Sequence, residues 1–141
     1  MRPGEGKVAA DMDMRLELVP IPVSDIDRAK AFYVDRLGFA EDVDVRPTDS
    51  MRVVQLTPSG SACSIVLGAG LPLIAMEPGS IRGLHLVVKD IDDARQALIA
   101  NGVDVGEIDD QGGGVKYASF KDPDGNSWAL QEMAWRSETW D

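Results

Sequence analysis

Two stretches of this chain are closely similar: Val23-Ser24-Asp25-Ile26-Asp27-Arg28-Ala29-Lys30-Ala31 and Val88-Lys89-Asp90-Ile91-Asp92-Asp93-Ala94-Arg95-Gln96-Ala97. In both, a valine that ends an apolar run is followed by an aspartate and then by apolar residues at helical spacing. A repeat of this kind within 141 residues indicates one supersecondary unit that is used twice. Two such halves must meet, and a cleft between them is a usual place for a binding site.

The elements predicted around the two copies follow the same order. Residues 16–23 read as a strand, and the next helix is predicted to be capped by Ser24 and to end at Gly38. Three short strands follow, at residues 39–45, 51–57 and 62–67. The second copy repeats this order with a strand at 84–88, a helix capped by Asp90, and strands at 103–105, 115–120 and 127–133. The sequence therefore predicts an α+β fold of two tandem βαβββ modules.

The chain divides around these modules. We predict a flexible leader over residues 1–13, a first module over 14–68, a connector over 69–82, a second module over 83–134 and a tail over 135–141. The connector is long and apolar for a loop, so it either crosses between the modules or covers the cleft. Trp135 and Trp140 predict a tail that closes the cleft or contacts a dimer partner, unless the tail is an exposed acidic segment.

Composition and charge argue against several classes of partner. Lys and Arg number 14 and Asp and Glu number 24, which gives a net charge of −10 that repels phosphate backbones and anionic membranes. We therefore expect no nucleic-acid partner and no membrane partner. No apolar run approaches the roughly 20 residues that span a bilayer, and the N-terminus does not resemble a signal peptide. Cys63 is the only cysteine, which excludes an intrachain disulfide and favours a cytoplasmic location.

Three motifs resemble the vicinal oxygen chelate superfamily, also called the glyoxalase, bleomycin-resistance and extradiol-dioxygenase family. They are Pro22-Val23-Ser24-Asp25-Ile26-Asp27-Arg28-Ala29-Lys30-Ala31-Phe32-Tyr33, Leu37-Gly38-Phe39 and Asp122-Pro123-Asp124-Gly125-Asn126. The resemblance covers residues 16–133. It implies paired βαβββ modules whose curved mixed sheet surrounds a central cleft. It also implies a divalent metal bound by His, Gln or Glu at four strand positions, and frequent dimers.

The four positions where the resemblance places metal ligands are occupied by Leu18, Val66, Gly83 and Ala129. Neither an alkyl side chain nor a missing one offers a lone pair to a cation. We therefore expect no metal and no other cofactor. The metal-assisted chemistry of glyoxalases and dioxygenases is not expected either.

Period-two alternation along the strands extends the prediction to the rest of the cleft. The candidate ligand-binding residues are Gln55, Ser64, Val66, His85, Tyr117 and Gln131. The opposite faces are predicted to pack against the helices through bulky apolar side chains: Ile65, Leu67, Leu84, Leu86, Phe120, Trp128 and Leu130.

His85 is the only histidine and lies two residues after Gly83, one of the four positions where the resemblance places a metal ligand. It is the candidate catalytic residue, since imidazole can act as a general base, hydrogen-bond a ligand or substitute as a metal ligand. The alternative is a half-buried histidine with a backbone partner. Gln55 and Gln131 can orient a polar ligand through their amides, and Tyr117 through its hydroxyl, or all three can be ordinary sheet residues.

Two functions follow from these residues. The first is a metal-independent protein that binds or sequesters a small molecule, in the manner of the drug-sequestering members of the family, and that forms a homodimer. The second is an enzyme of the lyase, isomerase or dioxygenase-like type that uses His85 as acid–base or holds an atypical metal site. A structural or regulatory partner domain is a third possibility, with no evident docking segment.

Overall fold

The computed structural model describes residues 12–70, 75–138 and 140. Parts of the predicted leader, connector and tail lie outside these described residues. The strands are β1 (Leu18–Pro20), β2 (Ala40–Thr48), β3 (Met51–Thr57), β4 (Ser64–Ala69), β5 (Leu84–Val87), β6 (Asp109–Gly112), β7 (Val115–Lys121) and β8 (Ser127–Met133). The helices are α1 (Ile26–Ala31), which continues as a π-helical segment over Phe32–Arg36, α2 (Ile91–Ala100) and α3 (Ala134–Glu138).

Each module forms a four-stranded sheet of the same topology. The strand order is β1-β4-β3-β2 in the first sheet and β5-β8-β7-β6 in the second. In both, the first strand of the module runs parallel to the last, and the other pairs are antiparallel. This confirms the predicted α+β fold of two tandem βαβββ modules, with a separate mixed sheet in each module.

Both helices begin at the repeated aspartate. The Asp25 carboxylate accepts a hydrogen bond from the Arg28 backbone N–H at 3.0 Å, and that of Asp90 accepts one from the Asp93 N–H at 3.1 Å. Each carboxylate satisfies an N–H group that has no partner within its helix. The prediction that Ser24 caps the first helix is wrong. Its hydroxyl instead donates to Asp124 Oδ1 at 2.6 Å, in the turn between β7 and β8.

The faces of the two sheets that carry bulky apolar residues share one core with α1. The predicted helix-facing residues of β4, β7 and β8 are buried in a single cluster, and those of β5 pack against it. Phe32 lies 6.4 Å from Phe120 and Tyr33 lies 5.7 Å from Trp128, measured between ring centroids. The first helix therefore packs on the sheet of the second module as well as on its own.

A buried polar network reinforces this contact between modules. The Tyr33 hydroxyl donates to Asp122 Oδ2 at 2.8 Å and accepts from Trp128 Nε1 at 2.9 Å. Asn126 Nδ2 donates to Asp122 Oδ2 at 2.8 Å and to Pro22 O at 2.9 Å. Burial, and then the nearby Asp122 carboxylate, raise the pKa of the Tyr33 hydroxyl. The turn at residues 122–126 is thus a junction between modules as well as a hairpin connection.

Two strand predictions are corrected. Residues 103–105 are not a strand, although Val103 and Val105 are buried in the core as alternation predicts. One-sided burial of a loop gives the same alternating pattern as a strand. The first strand is shorter than residues 16–23, because Pro20 and Pro22 lack the N–H groups that extend a ladder. Among the described residues, no helix is long and apolar enough to cross a membrane.

Candidate functional site

We call the face of each sheet that points away from the common core its cleft face. In the second sheet this face is lined by His85, Val87, Tyr117, Ser119, Ala129 and Gln131. Ladder register places His85 beside Ala129, and Tyr117 beside Gln131. His85 and Ser119 are exposed, Tyr117 and Gln131 are half-buried, and Ala129 is buried. Three of the predicted ligand-binding residues therefore lie together on an accessible surface.

A hydrogen bond to a backbone carbonyl fixes the orientation of the His85 ring. Its Nδ1 lies 2.6 Å from the carbonyl oxygen of Gly83. A carbonyl can only accept, so Nδ1 carries the proton and donates. In the neutral ring Nε2 is then an acceptor, and no described group hydrogen-bonds it. The His85 ring meets the Tyr117 ring edge to face, with centroids 5.7 Å apart and planes at 90°.

Tyr117 and Gln131 are linked across adjacent strands. Gln131 Nε2 donates to the Tyr117 hydroxyl at 3.3 Å, which satisfies one lone pair of that oxygen. The single proton of the hydroxyl is consequently directed away from Gln131. The cluster of His85, Tyr117 and Gln131 can therefore offer both an acceptor and a donor to a ligand.

The cleft face of the first sheet is largely aliphatic. It is lined by Leu18, Val43, Val45, Val53, Gln55, Thr57, Ser64 and Val66. Leu18 and Val43 are each 36% exposed and Val45 is 47% exposed. Ser64 and Thr57 hydrogen-bond each other through their hydroxyls at 2.6 Å, so the polar groups of this face are partly satisfied within it.

The structure divides the predicted site residues into two groups. Gln55, Ser64 and Val66 lie on the first sheet, with Gln55 and Val66 paired across β3 and β4. Ser64 and Val66 are buried, whereas Gln55 is half-buried and reaches Glu17 Oε2 at 3.5 Å. A cavity of about 240 Å³ between the sheets is lined by one residue of each group, Ser64 and His85. Its remaining lining is apolar apart from Ser61: Leu16, Val19, Pro58, Cys63, Ile65, Leu84, Leu86 and Trp128.

Val43, Val45 and Asp109 are among the cleft-face residues that the sequence analysis did not predict. Val43 and Val45 alternate with Asp42 and Asp44, a period-two signal that was available in the sequence. Asp109 pairs with Tyr117 in the ladder between β6 and β7. It was missed because the strand was predicted at residues 103–105 instead of Asp109–Gly112.

The residues present do not fit the divalent metal that the family resemblance implies. Leu18, Val66 and Ala129 lie on the cleft faces, and Gly83 precedes β5. Three of these positions carry only alkyl groups and the fourth carries no side chain. Within the described part of the chain, no three His, Cys, Asp or Glu side chains come together as a possible metal site.

One family model matches the chain, and no curated protein does. The model is described as Glyoxalase/Bleomycin resistance protein/Dioxygenase superfamily and matches residues 15–130.

Several solved structures share this fold. TnmS3, an antibiotic binding protein from Streptomyces sp. CB03234, is 36% identical over 86% of this chain and 98% of its own, with a TM-score of 0.75. A glyoxalase/bleomycin resistance protein from the same organism is 39% identical over 82% of this chain and 98% of its own, with a TM-score of 0.69. A superfamily member from Sphaerobacter thermophilus DSM 20745 is 33% identical over 85% and 98%, with a TM-score of 0.73.

Proposed function

Because the chain belongs to the glyoxalase/bleomycin resistance protein/dioxygenase superfamily, we propose that it binds and sequesters a small molecule without a metal ion. The observation that carries this proposal is the cleft face of the second sheet. There His85, Tyr117 and Gln131 present hydrogen-bonding groups beside Ala129, where the family would place a metal ligand. The similarity to TnmS3, itself an antibiotic binding protein, supports a ligand of the antibiotic type.

The chemistry of the cleft face of the second sheet suits binding. Ala129 and Val87 offer apolar area beside His85 and Tyr117, and apolar area that a ligand covers stabilises a complex by about 25 cal/mol per Å². A few polar groups then fix the orientation of the ligand, as is usual in small-molecule sites. Metal coordination adds nothing to this mode of binding, because the ligand is held by hydrogen bonds and apolar contact.

Metal analysis and ligand binding together test the proposal. Purified protein is analysed for metals and then titrated with a panel of natural-product antibiotics of varied scaffold, with and without EDTA. We expect at least one compound to bind and to raise the melting temperature, because a ligand that binds only the folded state stabilises it. EDTA should leave its affinity unchanged. Stoichiometric bound metal, or affinity that EDTA abolishes and a divalent ion restores, would show that the site depends on metal.

A second candidate function is an enzyme that uses His85 as general base. It is favoured by one observation: the bond from Nδ1 to Gly83 O leaves Nε2 unprotonated in the neutral ring. Mass spectrometry of a bound compound after prolonged incubation separates the two functions. An unchanged mass supports sequestration. A changed mass that is lost in His85→Gln, while binding is kept, supports the enzyme.

We also propose that two copies pair through the cleft face of the first sheet. An apolar sheet face open to water is unusual in a monomer and marks an interaction surface. Met14 and Leu16, which precede β1, are each 71% exposed and extend the apolar surface beyond Leu18. A second copy would cover these side chains together with Val43 and Val45.

The single cysteine of the sequence supports a reducing compartment, and we propose the cytoplasm.

Light scattering after gel filtration tests the pairing. The wild-type protein should elute at twice the 15.2 kDa chain mass. Val45→Asp should shift it to monomer, since a carboxylate would be buried without a partner. Ile99→Asp is the matched control, because Ile99 is 45% exposed on α2, outside the cleft faces. A monomeric wild type, or equal dissociation by both variants, would contradict the pairing.

A further inference from the structure

Building on the proposed ligand-binding role, we propose that the second sheet selects a planar ligand that carries a hydroxyl donor and a carbonyl acceptor and no anionic group. A hydroxyaryl ketone has this chemistry. The proposal rests on the hydrogen-bonding state of two side chains, His85 and Tyr117, and on what lies around them.

The acceptor of the site is Nε2 of His85. Its ring is held by the bond that Nδ1 donates to Gly83 O at 2.6 Å, and this bond assigns the proton to Nδ1. In the neutral ring this tautomer leaves a lone pair on Nε2, and no described group hydrogen-bonds it. The group that complements a lone pair is an O–H or N–H of the ligand.

The donor of the site is the hydroxyl of Tyr117. Because Gln131 Nε2 already donates to this oxygen at 3.3 Å, the hydroxyl proton must find its acceptor elsewhere. No described group other than Gln131 hydrogen-bonds the hydroxyl. A carbonyl of the ligand is the complementary partner, since it accepts without donating.

The donor and the acceptor are close enough for one ligand to reach both. His85 on β5 and Tyr117 on β7 flank Ala129 on β8, and their ring centroids are 5.7 Å apart. The two rings can meet across β8 because Ala129 has only a methyl group. Ala129, where the family resemblance places a metal ligand, therefore lies between His85 and Tyr117. A hydroxyl and a carbonyl on one edge of the ligand could bind the two side chains together.

The surroundings favour a flat ligand without an anionic group. Ala129 and Val87 carry only aliphatic groups, so the surface beside the rings is apolar, which suits a planar aromatic body. Asp109 is exposed and lies directly opposite Tyr117 in the ladder, so an anionic group on the ligand would be repelled.

Three flavones of one shape test this inference: 6-hydroxyflavone, 6-methoxyflavone and flavone-6-carboxylate. Dissociation constants are measured by calorimetry for the wild type, His85→Phe and Tyr117→Phe, which keep an aromatic ring at each position. The wild type should prefer the hydroxyl to the methoxy compound by about 5- to 10-fold, the value of one hydrogen bond. His85→Phe should abolish this preference. Tyr117→Phe should weaken both compounds about equally and keep the preference.

The outcomes separate this inference from the proposed function. If no compound of the antibiotic panel and no flavone binds, the ligand-binding role itself is wrong. If an antibiotic binds but no flavone does, or if the two neutral flavones bind equally to the wild type, the selection proposed here is wrong and the binding role remains. Tighter binding of flavone-6-carboxylate than of 6-hydroxyflavone would also overturn it. Circular dichroism of each variant verifies that the fold is retained.

Discussion

The two sheets have the same strand order, but their cleft faces have very different chemistry. The first sheet presents Pro20 and Val53 at the positions where the second presents His85 and Tyr117. On the core side the two modules agree, with the same aspartate cap and bulky apolar residues on each closing strand. The duplicated unit therefore keeps the surfaces that fold it, whereas its cleft faces have diverged.

Packing constrains the core face of each module more strongly than the cleft face. The core faces meet each other and α1, so a change in volume there disturbs both modules. The cleft faces do not contact the shared core and are open to chemical change. The contrast between His85 and its repeat equivalent Pro20 is thus a difference in side-chain chemistry on a common scaffold.

The largest expected difference in the free energy of unfolding is between substitutions in the two turns that join the last two strands of each module. Asp122→Ala should lower the free energy of unfolding by about 3 kcal/mol or more, because the buried donors of Tyr33 and Asn126 lose their acceptor. Ser59→Ala, in the exposed turn of the first module, should change it by less than about 0.5 kcal/mol. Urea unfolding measures both values. Similar losses would mean that the second turn is not a special junction.

A smaller effect on stability is expected at Leu18 and Gly83, the first position in each module where the family resemblance places a metal ligand. Gly83 has a φ of +76°, a conformation that disfavours any residue with a Cβ, whereas Leu18 lies in a regular strand. Gly83→Ala should destabilise the protein by about 1–2 kcal/mol, although nothing lies within 4 Å of the added Cβ. Thermal unfolding of Gly83→Ala and Leu18→Ala compares the two positions. A neutral Gly83→Ala would show that backbone conformation does not explain the glycine.

The first module also holds its helix to its sheet with charges. Arg52 binds both carboxylate oxygens of Asp44, at 3.1 and 3.0 Å, and Lys30 Nζ lies 2.7 Å from Asp44 Oδ2. Hydrogen bonds from Arg52 and then Lys30 hold the pKa of the Asp44 carboxyl well below its usual range. Asp44→Asn should cost about 1 kcal/mol at neutral pH.

The pH dependence of that loss gives a sharper test. Because the folded-state pKa of Asp44 is depressed, its contribution is complete above the ordinary aspartate pKa of about 3.9 and is lost as pH falls below it. The stabilities of the wild type and Asp44→Asn should therefore converge in strong acid. A difference between them that is constant with pH would exclude the ionised carboxylate as its cause.

The smallest difference in stability is expected between the two N-cap aspartates, Asp25 and Asp90, where the two copies of the repeat agree. Asp25→Ala and Asp90→Ala each remove one N-cap bond, of 3.0 and 3.1 Å, and each should cost about 1 kcal/mol. The two losses should agree within experimental error in denaturant unfolding. A large inequality would mean that the two aspartates have different roles.

The fold was predictable because its signals are local. The repeated aspartates, Gly38 and the alternation in β3 and β8 each specify an element without knowledge of the rest of the chain. Residues 103–105 were misread because alternation reports one-sided burial and not hydrogen bonding. The ligand-binding roles of Gln55, Ser64, Val66, His85, Tyr117 and Gln131 stay predictions, although the structure shows where each residue lies.

The two modules and the order of their elements can be read from the amino-acid sequence, because both depend on local patterns. The lack of metal-ligating groups at Leu18, Val66, Gly83 and Ala129 can be read from it as well, because it depends on side-chain chemistry. The folded chain was needed to show that the turn at residues 122–126 joins the modules through Tyr33. It was also needed to show that His85 meets Tyr117 across Ala129 and donates from Nδ1. Those contacts join residues far apart in the chain, and only the packing of strands and helices fixes them.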